Sequence, residues 1–228
     1  MQKTTEYLRH HHGGDGHKAA EKTVQSFARN HDQDFRRFWH NHCDEQLSDQ
    51  ATIIDLGCGT GLWLNELAQQ YPNARLTGFE LAPYMLDRME DLAANVSIIS
   101  DDLNNPSTEL PEHSVDIALA NLLIHELHQP VTLFCKLRRW LKPGGVFILC
   151  DRVRQPLAEY LHHQYAAIDL ANQTPEYDAL VNAFQHFQEH NRYHPDDIIA
   201  LPRQCGFKIA ASETFKNDRA VRIAAISV

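Results

Sequence analysis

At residues 53 to 61 the chain reads Ile53-Ile54-Asp55-Leu56-Gly57-Cys58-Gly59-Thr60-Gly61. An apolar run ends in an acid, three glycines follow at alternate positions, and a helical pattern begins at Leu62. This order predicts a buried β-strand, a tight turn and the N-terminus of a helix. Glycine suits such a turn because it adopts positive φ and lets the backbone approach a ligand closely. The free N–H groups of the helix start therefore predict a ligand site at the carboxyl end of this strand.

A second strand pattern lies downstream, from Leu76 to Phe79, and it ends in Glu80. Glu80 follows the last glycine by about 20 residues, the distance at which dinucleotide-binding folds place a carboxylate against ribose hydroxyls. A glycine turn alone is also compatible with simple packing of a strand against a helix, but the added acid favours a nucleotide-like ligand. The glycine spacing is G-x-G-x-G, however, and not the G-x-G-x-x-G of those folds.

With this spacing the sequence resembles the class I S-adenosylmethionine-dependent methyltransferases. Five landmarks of that family occur in order: the glycine motif at 55–61, the ribose-binding acid Glu80, the acidic segment 100–102, the fourth strand at 116–121 and the turn at 141–145. The resemblance implies a doubly wound α/β fold with a helical cap. Its seven-stranded sheet, in the order 3-2-1-4-5-7-6, is mostly parallel with an antiparallel last strand. S-adenosyl-L-methionine is the implied cofactor, with S-adenosyl-L-homocysteine as its product.

The resemblance assigns the methionine end of the donor to the glycine motif and to the end of the fourth strand. The residues concerned are Asp55, Gly57, Cys58, Gly59, Gly61 and Asn121. Asn121 is also expected to lie near the methyl acceptor, so it is a candidate catalytic residue.

The adenosine end of the donor is assigned to three short segments. Glu80 is expected to accept hydrogen bonds from both ribose hydroxyls, since one carboxylate can accept two O–H donors. Asp101 is the preferred partner of the adenine amino group, and Asp102 competes with it. Leu81 and Leu103 are expected to enclose the adenine ring, although both residues are also compatible with an ordinary core.

Two places in the acceptor half of the site lie directly after strands. His125, in Leu123-Ile124-His125-Glu126-Leu127, is a candidate catalytic base, with a structural histidine as the alternative. Arg152 and Arg154 follow the fifth strand and are candidates for binding a carboxylate or phosphate of the substrate, with a solvated loop as the alternative.

A third place for the acceptor is the helical insertion after the fifth strand. Tyr160 and His163 lie there, and Tyr193 lies in the loop that returns to the sheet. All three are candidate substrate contacts, although residues at helical spacing commonly serve a core or a surface.

Alternating strand and helix patterns run from residue 51 to residue 151, which indicates a parallel sheet with helices on both faces. We expect leader and cap helices over residues 1–50. A methyltransferase domain is expected over residues 51–228, with a helical lid insertion at about 152–194. Residues 1–17, which contain three consecutive histidines, are expected to be a flexible leader, and a part in the lid is the alternative.

Two boundaries inside the domain are predicted from proline and glycine. A helix is expected to start at Pro83 and to run to about Leu92, since proline suits a first helical turn. The Pro143-Gly144-Gly145 run is expected to form a turn ahead of a strand at 146–151.

Composition bounds the remaining possibilities. A net charge of −9 over 228 residues argues against a broad nucleic-acid surface. The chain has no apolar run of about 18 residues and no apolar signal segment near its start, so neither a membrane span nor secretion is predicted. Five scattered cysteines without a C-x-x-C pair fit a reducing compartment. We therefore expect a cytoplasmic protein without a metal site.

The expected function is S-adenosylmethionine-dependent methyl transfer to a small polar or aromatic metabolite by in-line displacement. Two alternatives stay open. One is a methyltransferase that modifies tRNA or protein, for which the acidic composition is unfavourable. The other is a non-catalytic S-adenosylmethionine-binding module, because a fold alone does not prove activity.

Overall fold

The protein is described by a computed structural model that covers residues 2–89, 91–164 and 177–228. Its seven strands are β1 Thr52–Leu56, β2 Arg75–Phe79, β3 Val96–Ile99, β4 Val115–Asn121, β5 Leu141–Arg152, β6 Phe207–Phe215 and β7 Ala220–Ser227. They form one sheet in the order β3-β2-β1-β4-β5-β7-β6. Strand β7 is antiparallel to both of its neighbours, and the other pairs are parallel. The predicted fold class and strand order are confirmed.

The helices surround this sheet and extend across its ligand-binding edge. They are α1 Gln2–His11, α2 Gly16–Asn30, α3 Gln33–Cys43, α4 Leu62–Gln70, α5 Pro83–Leu86, α6 Pro130–Trp140, α7 Leu157–Gln164, α8 Tyr177–His190 and α9 Pro195–Gln204, with a 3-10 turn at Ile124–Glu126. Two of the N-terminal helices begin at side-chain caps. Asp15 accepts a hydrogen bond from the Lys18 N–H, and Asp32 accepts one from the Phe35 N–H.

Strand β1 divides the apolar core into two layers because its side chains alternate between the faces of the sheet. Ile53 packs in a cluster with Trp39 and Trp63 on the face that α3 and α4 cover. Ile54 packs on the opposite face in a cluster that contains Trp140. Burial on both faces explains the nearly continuous apolar sequence of the strand.

Two boundaries differ from the sequence prediction. Helix α5 ends at Leu86 rather than near Leu92, and hydrogen bonds of the i→i+3 type at Arg88 and Met89 form tighter turns there. Strand β5 begins at Leu141, so the Pro143-Gly144-Gly145 run lies within the strand rather than ahead of it. The pairing of β4 with β5 shifts register between Val115 and Ile117, which accommodates the extra residues.

The N-terminal segment forms helix α1 over the site rather than an extended leader. The Thr4 hydroxyl donates to Asp102 at 2.6 Å, and the Tyr7 hydroxyl accepts from Arg192 at 2.9 Å. None of the helices in the three described ranges combines the length and apolar character required to cross a membrane.

Candidate active site

The glycine turn after β1 has the backbone geometry that only glycine adopts readily. Gly57 and Gly59 have φ of 68° and 57°, and Gly61 caps α4 with φ of 75°. The N–H groups of Gly57 and Cys58 donate to the Phe79 carbonyl at 2.8 and 3.0 Å. These bonds tie the turn to β2 and leave the start of α4 facing a cavity.

That cavity of about 1310 Å³ opens at the carboxyl ends of the strands. It exceeds the ~300–1,000 Å³ of ordinary small-molecule sites, so it has room for two ligands. Helices α1, α2 and α8 contribute to its walls. Most of the predicted donor contacts line it: Asp55, Gly57, Cys58, Glu80, Leu81, Asp101, Asp102, Leu103, Asn121 and Gly59.

A buried carboxyl group, Asp55, and a half-buried one, Glu80, lie near each other in the lining of the cavity. Glu80 accepts from the Gly59 N–H at 3.0 Å, and from the N–H groups of Leu81 and Ala82 at 2.9 and 2.7 Å. Burial raises the pKa of Asp55 to about 8, and the nearby charge of Glu80 adds to the shift. Burial likewise raises the pKa of Glu80 to about 7, against the effect of its backbone hydrogen bonds. A cationic ligand would stabilise both ionised forms, so the pair fits a sulfonium compound with an ammonium group.

Asp101 and Asp102 differ in how far their carboxylates are already engaged. Asp101 accepts four hydrogen bonds from the Asp102 N–H, the Ser107 N–H and hydroxyl, and the Thr108 N–H. Burial raises its pKa, but these bonds outweigh it and the pKa is lowered. Asp102 accepts from the Asn104 N–H and the Thr4 hydroxyl. Asp101 thus organises the loop after β3, and Asp102 has the less engaged carboxylate for an adenine amino group.

Asn121 ends β4 and contacts the N-terminal cap. Its Nδ2 lies 3.1 Å from Nε2 of His31, in the segment between α2 and α3. Burial lowers the pKa of His31 to about 4, so this ring is neutral at physiological pH. Both side chains line the cavity.

His125 and Asp151, from two places that compete for the acceptor role in the sequence, form one buried pair. The His125 Nδ1 lies 2.6 Å from Asp151 Oδ1, and the His125 N–H donates to Oδ2 at 3.0 Å. The Arg152 N–H donates to Asp151 Oδ1 as well, at 2.6 Å. Asp151 is fully buried, and these donors satisfy its oxygens. The pair fixes the segment after β4 against the end of β5.

Beyond His125, a polar chain leads to helix α1. Glu126 accepts from Nε2 of His12 at 2.9 Å, and the His12 Nδ1 lies 2.6 Å from the Tyr84 hydroxyl. Burial opposes a charge on His12, but its hydrogen bond with Glu126 and the charges of Glu126 and Glu80 prevail, so its pKa is raised. The sequence shows His12 only as part of a histidine run, and no spacing pattern links it to Glu126.

The predicted substrate contacts divide into two groups. Arg152 and Tyr160 line the cavity, and the Tyr160 hydroxyl contacts Nδ1 of His186. Arg154 lies over the Phe187 ring at 5.1 Å, and Tyr193 donates to the Leu127 carbonyl at 2.6 Å. Neither of these two side chains is among the described residues that line the cavity. The side chain of His163 lies outside the described residues.

Three exposed cations that line the cavity lie near one another, and the carboxylate of Asp32 lies near one of them, Lys216. The cations are Arg29 of α2, Arg152 at the end of β5 and Lys216 in the turn between β6 and β7. Burial and the charges of Arg152 and Arg29 lower the pKa of Lys216, which indicates mutual proximity. Within the described part of the chain, none of the three forms an ion pair with a carboxylate. Lys216 has φ of 55° in a turn of three left-handed residues, and no sequence periodicity predicts that it lines the cavity.

Metal ligation has no candidate cluster in the residues that the structure describes, where no group of three or more His, Cys, Asp or Glu has suitable geometry.

A methyltransferase-domain family profile matches residues 53–145. The malonyl-[acyl-carrier protein] O-methyltransferase of Halalkalibacterium halodurans is 32% identical over 104 residues, which cover 44% of this chain and 38% of that protein. The trans-aconitate 2-methyltransferase of an Azoarcus species is 34% identical over 103 residues, which cover 45% of this chain and 40% of that protein. The matches thus span less than half the length of these relatives.

Structural similarity extends over more of the chain. The geranyl diphosphate C-methyltransferase of Streptomyces coelicolor A3(2), solved with S-adenosyl-L-homocysteine, aligns with a TM-score of 0.62 over 84% of this chain and 79% of that one. Its sequence identity is 17%, so this match bears on the fold. The glycine turn, the strand order and the family profile over residues 53–145 together support a class I S-adenosylmethionine-dependent methyltransferase domain in this chain.

Proposed function

We propose that this chain transfers the methyl group of S-adenosylmethionine to a small metabolite that carries a carboxylate. The observation that supports an acidic acceptor is the group of three cations, Arg29, Arg152 and Lys216, in the cavity lining. Arginine and lysine bind carboxylates through charge-assisted hydrogen bonds, and neither Arg29 nor Arg152 forms an ion pair with a carboxylate of the described residues.

In this proposal the residues of the chain bind, orient and enclose the reactants. When bound, the donor supplies an activated methyl group, which passes to an oxygen of the acceptor while the electrons of the broken S–C bond remain on sulfur. Asp55 and Glu80 hold the positive donor, and the cations hold the negative acceptor across the cavity. Helices α1 and α8 cover the site and exclude water, so alignment supplies much of the rate increase.

A carboxylate acceptor changes the role of His125. Carboxylic acids are already ionised near neutral pH, so their oxygen attacks without loss of a proton and no general base is needed. We therefore assign His125 a positioning role, in which its bond to Asp151 fixes the segment that follows Asn121.

The names of two groups of relatives are consistent with a methyl acceptor that carries a carboxylate. Malonyl and trans-aconitate both denote groups with a free carboxyl, and proteins named for them match this chain over 104 and 103 residues. This agreement supports the class of acceptor and does not identify the compound.

The test is a methyl-transfer assay with labelled donor and a panel of di- and tricarboxylic acids, amines and phenols. We expect label in base-labile methyl esters of one or more acids. Arg152→Gln should raise KM for that acid by about tenfold or more, since a charge-assisted hydrogen bond is worth about 1.5–3 kcal/mol. Arg139→Gln is the matched control, because Arg139 is exposed and pairs with Glu112.

Two outcomes would contradict the proposal. Transfer only to amines or phenols would overturn the acidic acceptor. Donor binding without transfer to any compound, protein or RNA would leave a non-catalytic donor-binding module.

A further inference from the structure

His31 occupies an aromatic enclosure at the C-terminal end of α2. Its ring stacks on Trp63 with centroids 5.1 Å apart and an interplanar angle of 17°. Phe27 and Phe35 contact it with ring centroids at 4.5 and 4.9 Å. This enclosure fixes the plane of the imidazole, so its two nitrogens point in defined directions.

The neighbours of the two nitrogens determine the tautomer. Nδ1 lies 3.2 Å from the Phe27 carbonyl oxygen, which can only accept, so Nδ1 carries the hydrogen. In a neutral ring Nε2 then has a lone pair, and it faces the Asn121 amide at 3.1 Å. Only the Nδ2 group of that amide can donate, so the arrangement determines which way the amide faces.

The charged groups around the ring do not alter this assignment. Burial is the largest influence on the pKa of His31, and the charge of Arg36 lowers it further, while the Phe27 hydrogen bond and the charge of Asp32 act in the opposite direction. The result is a pKa of about 4. The ring is therefore neutral at the pH at which the protein works.

From this geometry we infer that His31 is a positioning residue, which holds the Asn121 amide with Oδ1 directed to the methyl donor. The inference rests on the proposed function, because it supposes that the donor binds beside Asn121. No hydrogen bond from another described residue reaches Oδ1. With the donor bound, an amide oxygen there would accept a hydrogen bond from its ammonium group and would favour its positive charge.

The consequence is a link between the N-terminal cap and the donor site. His31 belongs to the cap, whereas Asn121 belongs to the sheet. Displacement of the cap removes the acceptor from Nδ2 and frees the amide to rotate. Donor binding and cap docking therefore favour each other.

The first test is the tautomer of His31 in the free protein by long-range 1H–15N NMR. The His31→Gln variant assigns the signals among the 15 histidines. We expect the neutral Nδ1–H form, without titration between about pH 5.5 and 8. An Nε2–H tautomer, or titration in that range, would overturn the inference. This readout needs neither donor nor acceptor, so it is independent of whether the proposed function holds.

The second test is the affinity for S-adenosylhomocysteine of three variants. His31→Phe keeps a ring against Trp63 but lacks the acceptor, and we expect about tenfold weaker binding from one lost hydrogen bond. His31→Gln brings an amide oxygen near the position of Nε2, so we expect this variant to retain most of the affinity of the unmodified protein. His40→Phe is the control, because His40 is an exposed histidine of α3.

The Asn121→Ala background separates positioning from a structural role. Once Asn121 is absent, His31→Phe should have no further effect on affinity. An equal loss in both backgrounds would show that His31 acts on the fold alone and would refute the inference. If His31→Phe does not fold, the tautomer of His31 measured in the unmodified protein still tests the inference.

Discussion

In the ligand-free protein, burial makes the ionisation of Asp55 and Glu80 unfavourable, because it raises the pKa of both carboxyl groups. Asp55 is 5% exposed and its pKa is raised from 3.8 to about 8. Between these values the folded protein keeps a proton that the unfolded chain has released. The free energy of unfolding therefore falls as pH rises from about 4 to about 8, by about 1.4 kcal/mol per pH unit for one such group. We expect this loss of stability with rising pH in a site that binds a cation, as long as the cation is absent.

Replacement of Asp55 tests this argument directly. Asp55→Asn cannot ionise, so we expect it to be more stable than the unmodified protein in the absence of donor, with a difference that grows from pH 5 to pH 8.5. Denaturant unfolding at several pH values measures it. Parallel pH profiles of the two proteins would show that Asp55 is already ionised without a ligand.

Glu80 should contribute directly to donor affinity. Glu80→Gln keeps one oxygen but places an NH2 group where a ribose hydroxyl would donate, and it removes a negative charge. We expect binding of S-adenosylhomocysteine to weaken by about 1–3 kcal/mol, the scale of a lost buried hydrogen bond. Isothermal titration measures the change, with exposed Glu112→Gln as the control. Unchanged affinity in a folded variant would remove Glu80 from the donor site.

At the residue scale, the sequence predicts which side chains lie close together when a motif places them at the ends of neighbouring strands. Asp55 and Glu80 end adjacent parallel strands, so their proximity follows from strand order. His12 and His31 reach the site through tertiary contacts with residues far along the chain, Glu126 and Asn121. No periodicity carries that information, so the sequence names neither histidine as a site residue, although it leaves open that the segment with His12 is part of the lid.

At the scale of the element, helix α1 and the turn after it contribute to both halves of the cavity. Thr4 of α1 contacts Asp102 in the donor half, and His12, in the turn directly after α1, contacts Glu126 near Arg152. Such a helix encloses reactants and keeps water out during transfer. In the proposed function α1 encloses the reactants, so we expect its displacement to affect turnover more than donor affinity.

Replacement of His12 separates these two effects. His12→Ala removes the bonds to Glu126 and Tyr84, so we expect turnover to fall by about tenfold with less than a threefold change in affinity for S-adenosylhomocysteine. His17→Ala, at an exposed position of α2, is the control. Equal losses of turnover and affinity, or no loss of either, would show that α1 is not a lid.

The sequence predicts an element boundary correctly when residues next to that boundary determine it. Pro83 starts α5 as expected, but the early end of that helix depends on turns at Arg88 and Met89. The extension of β5 back to Leu141 depends on pairing with β4, a partner that the local sequence does not reveal. Proline and glycine mark where a chain can turn, and tertiary pairing decides whether it does.

At the scale of the whole molecule, strand order creates the site. Strand β1 lies between β2 and β4, so Asp55, Glu80 and Asn121 come together at one edge of the sheet. The sequence is acidic overall, with a net charge of −9, which disfavours binding to a polyanionic surface. The proposed acidic acceptor therefore depends on the local charge of Arg29, Arg152 and Lys216 in the cavity lining.

The central claim is that this cavity binds S-adenosylmethionine and its product. The most direct measurement is isothermal titration of the unmodified protein with S-adenosylhomocysteine, with NAD as the control ligand. We predict saturable binding of S-adenosylhomocysteine at micromolar concentrations and none of NAD. No binding of S-adenosylhomocysteine, or equal binding of both, would contradict the assignment of Asp55 and Glu80 as donor-binding acids and the function built on them.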